Sequence, residues 1–212
     1  MQTTIKDAQR SLFEEWKKIE PTLSTDGVVD EVAYLATSPK LVFVLKETND
    51  PGDNWDLCEF LRNDGSRGST WNSVARWVQA IRDLPRETPW RDFPEKADEL
   101  SNLRRAQLRS IVAVNLKKKP GGHTTFAPLL REHAMRDREL LKKQLALYQP
   151  HLFICCGTQV GDCLGEIYGP EVVKWKMTSR GIYYSPFIRV YTRLRATSRG
   201  ENSETHPSLR RR

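Results

Sequence analysis

Three short stretches of the chain are apolar almost without interruption: 41–45 (Leu-Val-Phe-Val-Leu), 111–114 (Ile-Val-Ala-Val) and 152–155 (Leu-Phe-Ile-Cys). Strands that are wet on one face alternate apolar with polar residues, whereas strands covered on both faces of a parallel sheet read as continuous apolar runs. A fourth β-rich stretch, 187–191, reads Phe-Ile-Arg-Val-Tyr. Between these stretches the apolar spacing turns helical. Residues 8–19 place Leu12, Phe13, Trp16 and Ile19 on one stripe, and 70–84 does the same with Trp71, Val74, Ala75, Val78 and Ile81. Ser69 or Thr70 is the expected N-cap of that second helix. Further helices are expected over 95–109, over 126–148 with a break near His133, and over 159–168. Strands alternating with helices predict an α/β fold of three layers, α/β/α, around a central, mostly parallel four-stranded sheet in a single domain over 1–212. In such sheets ligands gather at the carboxyl ends of the strands, so the loops after the strands are the ones to read for chemistry.

Composition narrows the classes without naming a function. Hydrophobic residues are 38% and charged residues 29% of the 212. That is apolar enough for a core, and no run approaches the ~20 apolar residues that span a bilayer. The start, Met1-Gln2-Thr3-Thr4-Ile5-Lys6-Asp7, has no apolar core of a secretory signal, so a cytoplasmic protein is expected. The cysteines, Cys58, Cys155, Cys156 and Cys163, form no C-x-x-C pair and have no well-placed histidines beside them. They read as free thiols in a reducing compartment, with no metal and no cofactor expected. The net charge of +7 becomes informative through its distribution. Lys117-Lys118-Lys119 follows the second strand, and Arg189, Arg193, Arg195, Arg199 and Arg210-Arg211-Arg212 crowd the last quarter. Basic loops at one sheet edge suit a polyanion such as DNA.

The loop after the first strand is Lys46-Glu47-Thr48-Asn49-Asp50-Pro51-Gly52; the second strand ends in Asn115; the third ends in Cys156-Gly157-Thr158-Gln159. The fourth is followed by Glu204-Thr205-His206-Pro207-Ser208-Leu209-Arg210. Taken singly, the first loop is ordinary turn chemistry and a strand-end Asn is an ordinary cap. Taken in order, the four loops resemble the uracil-DNA glycosylase superfamily. Asn49-Asp50-Pro51-Gly52 is similar to its first motif when aligned on the proline. Val112-Ala113-Val114-Asn115 is similar to its Asn-ended strand, His206-Pro207-Ser208 to its closing motif, and Asp56-Leu57-Cys58-Glu59-Phe60 to the stretch that supplies a stacking phenylalanine.

The resemblance implies a monofunctional DNA glycosylase that flips out a nucleotide and leaves an abasic site. Asp50 would orient the water and stabilise the sugar cation, and His206 would donate to the base carbonyl. Asn115 would read the base edge; Phe60 or Trp55 would stack on the base. Ser208, Arg210, Ser69, Lys117 and Lys118 would hold phosphates, and Leu209 would wedge into the gap left by the flipped base. Lys46-Glu47-Thr48 stands where the family places a single Gly, so a register counted from the strand makes Glu47 or Asn49 the reactive residue instead. The family's blocking Tyr aligns with Gly52, which leaves room for a C5 substituent, as on the modified cytosines of phage DNA. Plain uracil excision in repair is the alternative substrate. A non-catalytic module binding modified DNA or a protein is the alternative role. A metal nuclease built on Glu47, Asp50, Asp53 and Asp56 is a weaker reading, because clustered carboxylates on a loop are ordinarily a solvated turn. The expected partner is DNA, without membrane contact, and the expected state is a monomer.

Overall fold

The computed structural model describes residues 4–49, 55–63, 68–122 and 125–186. It is a mixed α/β protein with a mostly parallel four-stranded sheet. The chain divides into two compact units, Met1–Pro170 and Glu171–Arg212, where one domain over 1–212 is expected from the sequence.

In the first unit, α1 (Ile5–Lys17) leads into β1 (Gly27–Val28), α2 (Glu31–Ala36) and β2 (Leu41–Leu45). Then come α3 (Leu57–Arg62), α4 (Ser69–Asp83), a 3₁₀ turn (Trp90–Asp92), α5 (Ala97–Leu108) and β3 (Val112–Asn115). The unit closes with α6 (Ala127–Arg136), α7 (Arg138–Leu147), β4 (Leu152–Cys155) and α8 (Thr158–Tyr168). The sheet order is β1-β3-β2-β4. Strand β2 is parallel to both neighbours, with Val44 opposite Val114 on one side and Cys155 on the other.

Alternation of side chains across the strands sorts the core into two layers. Val42, Val44, Val112 and Val114 face α1, α6, α7 and α8 through Trp16, Leu130, Leu141 and Leu164. Leu41, Phe43, Ile111 and Ala113 face α3, α4 and α5 through Leu57, Leu61, Val78 and Leu108. Helices therefore cover both faces of the sheet. Arg82 locks α4 to the entry of β3, donating to the Ser110 hydroxyl at 2.6 Å and its carbonyl at 3.0 Å.

Several expectations need correction. The fourth strand of the sheet is Gly27–Val28, antiparallel to β3, and it is too short to carry a period. The expected strand 187–191 lies outside the described residues. Strand β4 is an edge strand, with Leu152 38% exposed, so its apolar run does not mean cover on both faces. The first helix starts at Ile5 behind a Thr4 N-cap, and Ile19 falls beyond its end at 49% exposure. The N-cap of α4 is Gly68, not Ser69 or Thr70, and it offers no side-chain bond. The long helix breaks at Asp137 rather than His133; the buried Asp137 carboxylate accepts from Arg136 Nε at 2.7 Å and Nη2 at 2.9 Å. The short helices α2 and α3 are held by caps, Asp30 accepting from Ala33 N and Asp56 from Glu59 N, signals too local for a periodicity reading to weigh.

The four cysteines are free thiols. Burial pushes Cys155 up to about 12 and Cys156 up to about 11, and raises Cys58 and Cys163 as well. At pH 8 a thiol near 11 is ionised on the order of one molecule in a thousand, and the thiolate is the nucleophile. A thiol-reactive dye should therefore label the native chain slowly at pH 8 and label all four sites quickly in denaturant. Because these folded-state values lie above the ordinary 9.0, the associated stability is complete below pH 9.0 and is lost as pH climbs towards about 11 to 12.

In the second unit the described residues form a hairpin of β5 (Lys176–Met177) and β6 (Tyr183–Tyr184). Gly181, with φ +75°, sits in its turn, where a left-handed backbone is needed.

Candidate functional site

Strand β2 has its two parallel neighbours on opposite sides, and the helices that follow it and those that follow β3 lie on opposite faces. This is the arrangement that opens a crevice at the carboxyl ends of the strands.

The side chains there are ordered by alternation. Asn115 is in register with Leu45 and follows Ala113, so it shares the sheet face of Leu45 and Ala113, which is the face of α3, α4 and α5. On that face Trp55 and Phe60 pack against the core and against each other, ring centroids 5.3 Å apart. Trp55 is fixed by its carbonyl, which accepts from Thr25 N at 2.9 Å, while Leu57 N donates back to Thr25 O at 2.9 Å. The Thr25 hydroxyl donates to Asp56 at 2.9 Å. The structure therefore puts the proposed edge-reading amide and both stacking candidates on one face.

Asn115 is 2% exposed. Its backbone N–H donates to Asp26 Oδ2 at 2.8 Å, yet its side-chain Nδ2 is buried with no partner among the described residues. A buried donor left unmade costs about 1–3 kcal/mol. Trp16, His133 and Gln159 also carry a buried side-chain polar atom with no partner among the described residues, so what sets Asn115 apart is its place at the carboxyl end of β3.

Beyond β2, Glu47 lies beneath the surface, paired with the equally buried ammonium of Lys117. Gly121 closes over this carboxylate: its N–H donates to Thr48 O at 2.8 Å, and a Cβ there would overlap the Glu47 carboxyl group. Thr48 is anchored in turn by a 2.9 Å hydroxyl bond with Ser24. Asn49 is exposed and bridges to Gly121. Gly121→Ala should push Glu47 off Lys117 and cost about 1–3 kcal/mol, the usual effect of overpacking, read as a lower urea midpoint at unchanged slope.

No family model, no curated protein and no solved structure matches this chain.

Two of the expected phosphate ligands are assigned differently by the structure. Lys118 has no exposed surface; its Nζ donates to Asp26 Oδ1 at 2.9 Å and Oδ2 at 2.8 Å, to Asn115 O at 2.8 Å and to Gln144 Oε1 at 2.8 Å. Lys117 is 5% exposed and tied to Glu47. Both charges are spent inside the protein, and only Lys119 of the triplet is exposed, 3.5 Å from Glu20. The run Lys117-Lys118-Lys119 looks basic, but Lys117 and Lys118 each turn onto a buried acid, Glu47 and Asp26. Burial pulls the Lys118 ammonium below its ordinary value, and Asp26 opposes that pull.

Ser69 is exposed on the first turn of α4, beside a cleft of about 570 Å³ lined also by Asn72, Ser101 and Arg104. Helix α5 feeds β3 from below, so its first turn, and this cleft with it, lies towards the carboxyl end of the sheet. Arg104 donates to Asn72 Oδ1 at 2.7 Å. Asp50, Gly52, His206, Ser208, Leu209 and Arg210 lie outside the described residues. Asp26, Gln144 and Ser24 went unnoticed in the sequence, since isolated polar residues carry no periodic signal. Among the described residues no group of three or more His, Cys, Asp or Glu is placed to hold a metal, and no helix is long and apolar enough to cross a membrane.

Proposed function

We propose that this chain is a monofunctional DNA glycosylase with a uracil-DNA glycosylase-like α/β/α fold, acting on a pyrimidine that carries a C5 substituent. The observation that carries the reading is the Asn115 Nδ2, buried with no partner among the described residues at the carboxyl end of a central strand, on the face where Trp55 and Phe60 pack. A flipped pyrimidine offers a carbonyl acceptor to that amide and a π-face to the rings. The ordered resemblance of the four loops supports the same reading.

In the reaction the C1′–N1 bond breaks, and its electron pair leaves with the base as an anion delocalised onto the ring carbonyl. Water adds to C1′ and its proton ends on the departing base anion, so the products are the free base and an abasic site. In this scheme His206 donates a hydrogen bond to the developing oxyanion and Asp50 orients the water and balances the sugar cation. Asn115 holds the base edge, Phe60 or Trp55 its face, and Ser69, Ser208 and Arg210 the phosphates. Leu209 fills the vacated stack, and Gly52 leaves space for the substituent.

The test is base release from oligonucleotides carrying uracil, thymine or 5-substituted cytosines, read as alkali-labile strand breaks. Release is expected to be greatest from a C5-substituted base, and Asp50→Asn or His206→Ala should each lower it by about 10²–10³-fold, as loss of one charge-stabilising group does. Release from no substrate would sink the proposal. The pairing of Glu47 with Lys117, which neutralises the one buried carboxylate described on the loop after β2, favours a second reading: a module that binds an extruded base without cutting it. Tight binding of modified DNA with no release, in the parent and both variants alike, would establish that reading instead.

A further inference from the structure

Beneath the sheet end lies a buried polar cluster that the proposed chemistry does not use. Asp26 and Lys118 have no exposed surface, and neither has Gln144. Gln144, on α7, donates to Asp26 Oδ1 at 2.8 Å and accepts from Lys118. The Lys118 ammonium also sits over the rings of Trp16 and Phe13, on α1, at 4.8 and 5.5 Å from their centroids. Desolvating two charges is expensive, and an apolar pair of equal volume is often as stable or more so. The cluster is thus poorly explained as a device for stability alone.

Its geometry has a direction. Asp26 accepts from the Asn115 N–H at 2.8 Å, and Lys118 donates to the Asn115 carbonyl at 2.8 Å. The carboxylate and the ammonium, themselves paired at 2.8 Å, grip both backbone polar groups of Asn115, whose side-chain Nδ2 is buried with no partner among the described residues. Charge-assisted bonds are short and directional. The groups packed around the pair, Trp16, Phe13 and Gln144, belong to α1 and α7, on the sheet face opposite Trp55 and Phe60, so the clamp holds the Asn115 peptide without using the space beside those rings.

We infer that Asp26 and Lys118, braced by Gln144, are positioning residues that set the Asn115 amide for recognition of the flipped base. This rests on the glycosylase reading above. The clamp acts through the peptide: a strand's last residue is free to twist, and an error of about 1 Å at a reacting or recognising group costs up to ~10²-fold.

The test is a double-mutant cycle. Lys118→Met alone risks unfolding, so the working variant is Asp26→Asn with Lys118→Met, which removes both charges; Gln144→Leu is a milder companion. Each is made in the parent and in Asn115→Ala, confirmed as folded by urea titration, and assayed for kcat/KM on a C5-substituted cytosine and on uracil. In the parent, the neutral pair should lower the ratio of the two kcat/KM values about tenfold, the effect of one misplaced hydrogen bond, and Gln144→Leu should lower it less. In the Asn115→Ala background neither should change the ratio further, because a group acting through Asn115 has nothing left to act on. An unchanged ratio in the folded neutral pair, or equal losses in both backgrounds, overturns the inference and leaves the glycosylase reading standing. No release by the parent overturns both.

Discussion

Asn115→Ala is expected to destroy base selection while leaving the fold as stable as before or slightly more so. The two effects have opposite signs because the same amide is involved in both. Among the described residues Nδ2 is buried with no partner, and a donor in that state costs about 1–3 kcal/mol. Alanine removes the cost, offset by the small cavity left where the amide stood. The Asn115 backbone bonds to Asp26 and Lys118 do not depend on the side chain. A urea titration should therefore show a midpoint shift within about 1 kcal/mol of zero, in either direction. Function should move much further. A site built to hydrogen-bond one group rejects a ligand lacking it by up to about 10⁴–10⁵, and removing the site's own donor forfeits that discrimination. The measurement is the kcat/KM ratio for two pyrimidines that differ on the edge Asn115 would read. Asn115→Asp is the sharper companion, since it exchanges a donor for an acceptor at nearly constant shape and should repel the base carbonyl. If Asn115→Ala destabilises by several kcal/mol and leaves the ratio alone, Asn115 is a structural cap and the site lies elsewhere.

Lys118→Met is expected to be the most destabilising single change in the described part of the chain. Asp26 has no exposed surface, and the ammonium is its partner through both oxygens. Removing one member of a buried pair costs about 3–5 kcal/mol, because the other charge is left without compensation. Against a total of about 5–15 kcal/mol for a domain, that is a large fraction of the whole. Replacing both members, Asp26→Asn with Lys118→Met, should recover most of the loss. Urea midpoints of the two singles and the double measure it: strong positive coupling is expected, and simple addition of the single effects would show that the two charges do not depend on each other.

How much of this was legible in the sequence depends on the range of the signal. The strands 41–45 and 152–155 and most of 111–114 could be read directly, because a continuous apolar run has few solutions other than burial in a sheet. The helices α1, α4, α5, α7 and α8 were legible for a similar reason: their stripes repeat over several turns. Strand β1 was not, since two residues carry no period, and β4 showed its apolar character without showing that it lies at an edge. Asn115 was singled out from its place at a strand end, which is where parallel sheets open.

Lys117-Lys118-Lys119 marks where that kind of reading ends. Three adjacent lysines look alike in a sequence, and their charge suggested phosphates. In the fold, Lys117 meets Glu47 and Lys118 meets Asp26 and Gln144 across 70, 92 and 26 positions of chain. Whether a charge faces water or a buried acid is set by distant residues brought together when the sheet forms, and no local pattern encodes it. Local spacing thus settled the elements and the end of the sheet at which the candidate residues gather. Long-range packing settled that the two lysines beside Asn115 turn onto buried acids, and that the Asn115 Nδ2 is buried with no partner among the described residues.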